Sequence, residues 1–283
     1  MTLAPESTIT PKSGWHGSLS LGFEYRADRT ILAHRKHYGP LLVQRPFYPE
    51  GEPCHIYLLH PPGGVVPGDE LTVRVKVGDR AHALVTTPAA GKLYRSHGPR
   101  QVVSNVLRVE KRGYLEWLPQ ETIIFDGADG RLTTRVELDS EARFAGWELV
   151  CFGRPASKAL FERGSCRQHF ELWRDGLPVS LERSVFVGSE PIGQACWGLE
   201  NHTVSGTFMV SGPEPLSDAV ITAARELCEA RPTLTMTQLE GVLVARYLGD
   251  SAEQGRHVFT EFWELVRPEL CERNVCIPRI WNT

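Results

Sequence analysis

Leu71-Thr72-Val73-Arg74-Val75-Lys76-Val77 alternates apolar and polar residues and stops at Gly78-Asp79, the pattern of a β-strand with one buried face ended by a turn. Segments of the same kind recur at Ala83 to Thr87, Val102 to Val109, Tyr114 to Leu118, Leu132 to Leu138, Arg143 to Phe152, Cys166 to Trp173, Ser180 to Val187 and Val204 to Val210. The gaps between them hold turns and leave little room for crossover helices. A mainly β body, antiparallel or solenoid-like, is therefore expected. No fixed-period repeat is visible, so periodicity leaves the choice between those two open.

The character changes near Gly212-Pro213. Leu216, Val220, Ala223, Ala224 and Leu227 fall on one helical stripe behind Ser217, which is placed to cap, and Pro232 ends the helix. Leu239 to Leu248 reads as one more strand, buried on both faces. Ser251 and Gln254 have capping-box spacing, and Val258, Phe259, Phe262 and Val266 predict a second helix that stops at Arg267-Pro268. Residues 213–283 are thus expected to form a small C-terminal α element with two helices. No linker separates it from the β body, so a single domain over 1–283 is expected, with 1–13 flexible.

Hydrophobic residues make up 41% of the 283-residue chain, enough to bury a sizeable core. A formal charge of −3 provides no global attraction to nucleic acid or anionic lipid, and neither is expected as a partner. No apolar run approaches the roughly 20 residues of a membrane span. The start, Met1-Thr2-Leu3-Ala4-Pro5-Glu6, has neither a basic nor an apolar leader region. Seven cysteines without C-x-x-C pairing read as reduced thiols. A cytoplasmic protein is expected.

Nucleophile-elbow, phosphate-loop and zinc-type spacings are missing from the sequence, which argues against those chemistries. Two stretches stand out instead. In His60-Pro61-Pro62-Gly63-Gly64-Val65-Val66-Pro67-Gly68-Asp69, the prolines fix φ and the glycines permit positive φ or close backbone approach. Asp69 either hydrogen-bonds the turn's own amides or lines a site. The second, Leu115 to Ala128, sets Glu116, Glu121 and Asp126 in apolar surroundings around Pro119-Gln120. Such carboxylates reach solvent as edge charges, pair, or coordinate something. In extended chain Glu116 faces away from Glu121 unless Pro119 resets the register. His34 and His37 flank Arg35-Lys36 as a solvated basic surface, while Cys54-His55, Cys271 and Cys276 read as structural.

The first stretch, preceded by Gly39-Pro40-Leu41 and Gln44-Arg45-Pro46-Phe47-Tyr48-Pro49, resembles the N-terminal signature of the UreD (UreH) family of urease accessory proteins. Thr86 to Ser96, Leu115 to Ala128 and Pro278 to Thr283 resemble three further blocks of that family, in the same order. The resemblance implies a β-helix-like body with helices near the C-terminus, and no enzymatic activity. It also implies a role in installing nickel in apo-urease with the partners UreF and the GTPase UreG, with no tightly bound cofactor. Nickel would pass transiently through an internal tunnel. Spaced carboxylates suit passage better than a Cys/His cage, since an ion must leave as readily as it enters. Asp69, Glu121 and Asp126, with Glu116 as a fourth, are therefore the candidate path residues. One departure stands out: Lys158-Ala159 occupies the place of the family's Gly-Glu pair, with Glu162 nearby. The rival readings are a scaffold without metal passage, and a β-helix polysaccharide enzyme using Asp69 and Glu121 as acid and base.

Overall fold

The computed structural model describes residues 14–282; the expectation for 1–13 lies outside the described residues. Two sheets face each other. The first is seven-stranded, in the order β14 (Leu177–Val187), β13 (Ser165–Arg174), β11 (Asp129–Leu138), β8 (Gln101–Val109), β5 (Glu70–Val77), β1 (His16–Arg26), β2 (Arg29–Tyr38). Its five inner strands run parallel, and β2 and β14 close the two edges antiparallel. In the second sheet β4 (Cys54–Leu59), β6 (His82–Thr86), β9 (Tyr114–Leu118) and β12 (Arg143–Phe152) are parallel. The antiparallel strands β15 (Val204–Ser211), β17 (Val242–Gly249) and β16 (Leu234–Leu239) extend it on one side, and the two-residue β3 (Leu42–Val43) pairs β4 on the other.

From β4 to β13 the chain alternates between the sheets, which is a solenoid. A narrow third wall completes each coil: Val65 bridges Leu93 of β7 (Gly91–Leu93), β7 pairs β10 (Thr122–Ile124), and β10 pairs the end of β12. The choice left open by periodicity is thereby settled. The repeat is invisible because the coils differ in length: Glu70 stacks on Val102, Gln101 on Gly130, and Asp129 on Ser165.

Alternation dictates which side chains meet between the sheets. Leu19, Val73, Val75, Leu107, Val136 and Phe170 point inward from the first sheet against Ile56, Val85, Trp117 and Phe144 of the second. The second sheet is covered on its other face as well. Helices α1 (Asp218–Ala230) and α2 (Ala252–Cys271) lay Ile221, Phe259, Phe262, Trp263 and Val266 on Trp147, Phe208 and Tyr247. Strand β9 is consequently buried at all five positions. Ser217 and Ser251 accept hydrogen bonds from Val220 N and Gln254 N, capping the helices as their spacing required.

Two boundaries differ from expectation. The single strand expected over Leu239 to Leu248 is a hairpin: β16 ends at Leu239, Gly241 turns with φ of 76°, and β17 returns. Its run of small and apolar residues hid the turn. Helix α2 continues through Pro268 to Cys271, because a proline this near the helix end forfeits only one backbone bond and Arg267 anchors the last turn.

Candidate functional site: a chambered interior

A cavity of about 420 Å³ lies inside the solenoid. The first sheet lines it with Leu71, Val73, Val103, Asn105 and Leu132. The remaining walls come from His60, Pro61, Gly63 and Val65, from Thr87 to Leu93, from Trp117, Pro119, Gln120 and Thr122, and from Glu148 to Val150 of β12. Three of the unusual sequence blocks therefore stack laterally as one side of the chamber. Val65 N donates to Lys92 O at 2.7 Å, Gln120 N to Thr87 Oγ1 at 2.9 Å and Gly91 N to Glu121 O at 2.8 Å. The Gln101 amide ties the stack by donating to the carbonyls of Val65 (2.8 Å) and Tyr94 (2.7 Å). Gly64 is required by close approach, since a Cβ there would stand 2.3 Å from the Tyr94 ring. Gly68 has φ of 85°, which favours glycine. The fourth block closes over the far side of the sheet, where Trp281 Nε1 donates to Thr86 Oγ1 at 2.9 Å and its ring packs on Trp147 and Trp263.

Among the described residues, Glu148 is the one carboxylate on the wall of this chamber. It sits on β12 at an inward position between Gly146 and Val150, partly buried and lining the cavity. Its partners are neutral: Gln168 Nε2 donates at 2.9 Å, and Thr134 supplies a hydroxyl that also accepts from Asn105 Nδ2 at 2.8 Å. Burial pushes the Glu148 carboxyl above its ordinary range, and the bonds from Thr134 and Gln168 offset this only in part. Gln168 lines a second cavity of about 660 Å³, bordered by Glu182, Ser184, His202, Thr207 and Arg246. A hydrogen bond therefore links Glu148 of the first cavity to Gln168 of the second. At the other end His60 lines the first chamber; burial holds its imidazole below the ordinary value, against the opposing charge of Asp69.

The four carboxylates singled out by sequence lie around the chamber, not on its wall. Asp69 accepts from Trp15 N (2.7 Å) and Val66 N (3.0 Å), the second being an amide of its own turn. Asp126 is held by Arg95, Arg163 and the backbone N–H groups of Glu162 and Arg163, and the Arg163 side chain first of all keeps its carboxyl low. Glu121 accepts from Arg256 of α2 at 2.8 Å. Glu116 is not the solvated edge charge that its neighbourhood allowed: it is fully buried. Glu116 and Glu121 both reach arginines of α2, so Pro119 does reset the register between them.

Around Glu116 lies a buried ionic network. Arg267 Nε donates to Glu116 Oε1 at 2.9 Å, and its Nη atoms donate to both oxygens of Glu50 at 2.8 Å. Trp263 Nε1 (2.7 Å) and Tyr114 OH (3.2 Å) also donate to Glu116. His82 Nε2 lies 2.8 Å from Glu116, and His55 Nε2 lies 2.7 Å from Glu50. Burial alone would raise the Glu116 carboxyl, but His82 and Arg267 overcome it and set it at about 2. Sequence reasoning missed Arg267, Glu50 and Glu148. Arg267 and Glu148 carried a signal, being charges at positions where helical or strand periodicity calls for an apolar residue.

Lys158 has φ of 54° and is exposed. The backbone keeps the left-handed turn that suits glycine, while the lysine side chain points to solvent. Glu162 is exposed beside Asp126. Among the described residues, no group of three His, Cys, Asp or Glu side chains converges to hold a metal ion, and no helix is long and apolar enough to cross a membrane.

Comparison with known proteins gives this architecture a lineage. The sequence model of the UreD urease accessory protein family matches residues 16–282. A urease accessory protein UreD of Dechloromonas aromatica is 43% identical over 99% of this chain and 98% of its own length. The UreD of Chromohalobacter salexigens is 44% identical, covering 95% of this chain and 89% of that one. The UreD of a Nostoc species is 41% identical, covering 98% and 99%. The match spans the solenoid, its chamber and both C-terminal helices, and the chain belongs to the UreD family of urease accessory proteins, whose members assist an enzyme without being one.

Proposed function

We propose that this chain acts in the cytoplasm, as one unit over 1–283, by joining UreF, UreG and apo-urease. On this reading nickel crosses its β body through the two chambers that meet at Glu148 and Gln168. The observation that carries the reading is the coincidence of the family's sequence blocks with the chamber wall. His60, Pro61, Gly63 and Val65, Thr87 to Leu93, and Pro119, Gln120 and Thr122 line a cavity whose single wall carboxylate among the described residues is Glu148. A lone carboxylate beside an amide attracts a divalent ion without caging it, and surrounding water and carbonyls complete a transient shell. Nickel is cargo in this reading. Asp69, Glu121, Asp126 and Glu116 are secondary path candidates, because each would first have to release an arginine or backbone amides. Their full occupation is what favours the second reading, a scaffold through which no metal passes.

A blocked chamber separates the two. Val103→Trp places a large side chain in the cavity without touching the surface. The variant is expected to assemble normally with UreF, UreG and apo-urease on size exclusion, and to lower the nickel bound per urease. Equal nickel loading by an assembled Val103→Trp complex would leave only the scaffold.

A further inference from the structure

The net charge of −3 hides a separation of charge. Inward-pointing Val73, Val75, Leu132, Val136 and Phe170 oblige their neighbours to point outward from the seven-stranded sheet. One row across that outer face reads Lys36, Ser20, Arg74, Val106, Arg135, Glu171. The next but one reads His16, Glu70, Val102, Arg131, Arg167, Val185. Meanwhile Glu226, Glu229, Glu253 and Glu264 are exposed on the helices that cover the other sheet.

Arg131 and Arg167 are exposed and register-paired on adjacent parallel strands. Like charges set side by side cost stability unless something neutralises them. The glutamates of this face are already engaged: Glu70 with His16, Glu137 with Arg108 and Arg135, Glu171 with Arg183. Among the described residues, Lys36, Arg74, Arg131 and Arg167 have no carboxylate partner. His169 stands among Arg131, Arg183 and Arg167, whose charges add to burial, against Glu171, in holding its imidazole low. The patch is thus positive and rigidly spaced.

We infer that the outer face of the seven-stranded sheet, centred on Arg131 and Arg167, is a docking surface for an acidic face of a protein partner. The inference rests on the maturation role proposed above and assigns one contact within it. A protein fits better than nucleic acid for two reasons. Single-stranded nucleic acid needs aromatic platforms, and Trp173 on this face is already covered by Arg135 at 4.1 Å. Interspersed Glu70, Glu137 and Glu171 also repel a continuous phosphate backbone, whereas a folded surface can place carboxylates opposite the arginines and lysines alone.

The test measures binding of the full chain to apo-urease, UreF and UreG separately, at low and high salt. For one of the three, Arg131→Glu/Arg167→Glu is expected to weaken low-salt binding by about tenfold or more and to flatten its salt dependence. Arg225→Glu on the helical side should change neither. Equal binding by the double variant overturns the assignment, as does an equal loss with Arg225→Glu, which would indicate net charge and not this face. Salt-sensitive binding of a single-stranded RNA, or self-association of the chain, that disappears in the double variant while partner binding persists also overturns it. If the wild-type chain binds none of the three, the maturation role fails and this inference falls with it.

Discussion

Glu116, fully buried, and Glu148, partly buried, are carboxylates on neighbouring, directly paired strands of one sheet, yet they have opposite surroundings. Glu116 faces the helical layer, where Arg267, His82, Trp263 and Tyr114 saturate it. Glu148 faces the chamber with only an amide and a hydroxyl. A buried carboxylate next to a guanidinium is locked in its charged form and serves as a bolt between elements. One without a cation keeps unspent capacity to bind a proton or a metal. The difference teaches that charge compensation, more than burial, separates an acid locked into the framework from one left free to take a proton or a cation.

Breaking the bolt should have the largest effect. Arg267→Ala leaves Glu116 and Glu50 buried without their cation and is expected to destabilise the protein by about 3–5 kcal/mol, measured by urea unfolding. A loss below about 1 kcal/mol would mean that the network does not join α2 to the solenoid. Acid should reach the two sites with opposite sign. The Glu116 contribution is present above its ordinary 4.5 and is lost as pH falls toward about 2. The folded state holds the Glu148 proton more tightly than the unfolded chain does, so that contribution is present below 4.5 and is lost as pH rises through the raised value. Glu148→Gln should therefore gain stability relative to wild type as pH is raised above 4.5, read from melting temperatures across pH.

A smaller effect separates both acids from the turn acid Asp69. Asp69→Ala strands the Trp15 and Val66 amides and is expected to cost about 1–3 kcal/mol. It should leave metal transfer intact in whatever fraction stays folded, checked by urea unfolding alongside nickel loading. A stable Asp69→Ala protein that fails to load nickel would move Asp69 from the loop's framework into the path.

Much of this contrast was legible in sequence, though unevenly. Alternation in Leu71 to Val77 and Leu132 to Leu138 gave the strands and their faces, because each has one side against the core. Strands β4 and β9 are buried on both sides and carry no such alternation. Unequal coil lengths concealed the solenoid, and Gly241 passed as a strand residue because hairpin partners need no spacer beyond a turn. The chamber was foreshadowed by its glycine- and proline-rich wall, yet its acid was not. Within Phe144, Gly146, Glu148, Val150 and Phe152 the glutamate occupies an inward position, which strand periodicity alone could have marked. Glu116 gave no comparable hint of its partner, since Arg267 lies far along the chain and meets it only through tertiary packing.

The most direct measurement is the nickel content of urease matured with Glu148→Gln, compared with wild type and with Glu116→Gln, at equal amounts of assembled complex. If Glu148 is the stepping point between the chambers, Glu148→Gln forms a stable complex that delivers little nickel. Glu116→Gln should lose stability while its folded fraction still delivers. Full nickel loading by a correctly assembled Glu148→Gln complex would contradict the passage.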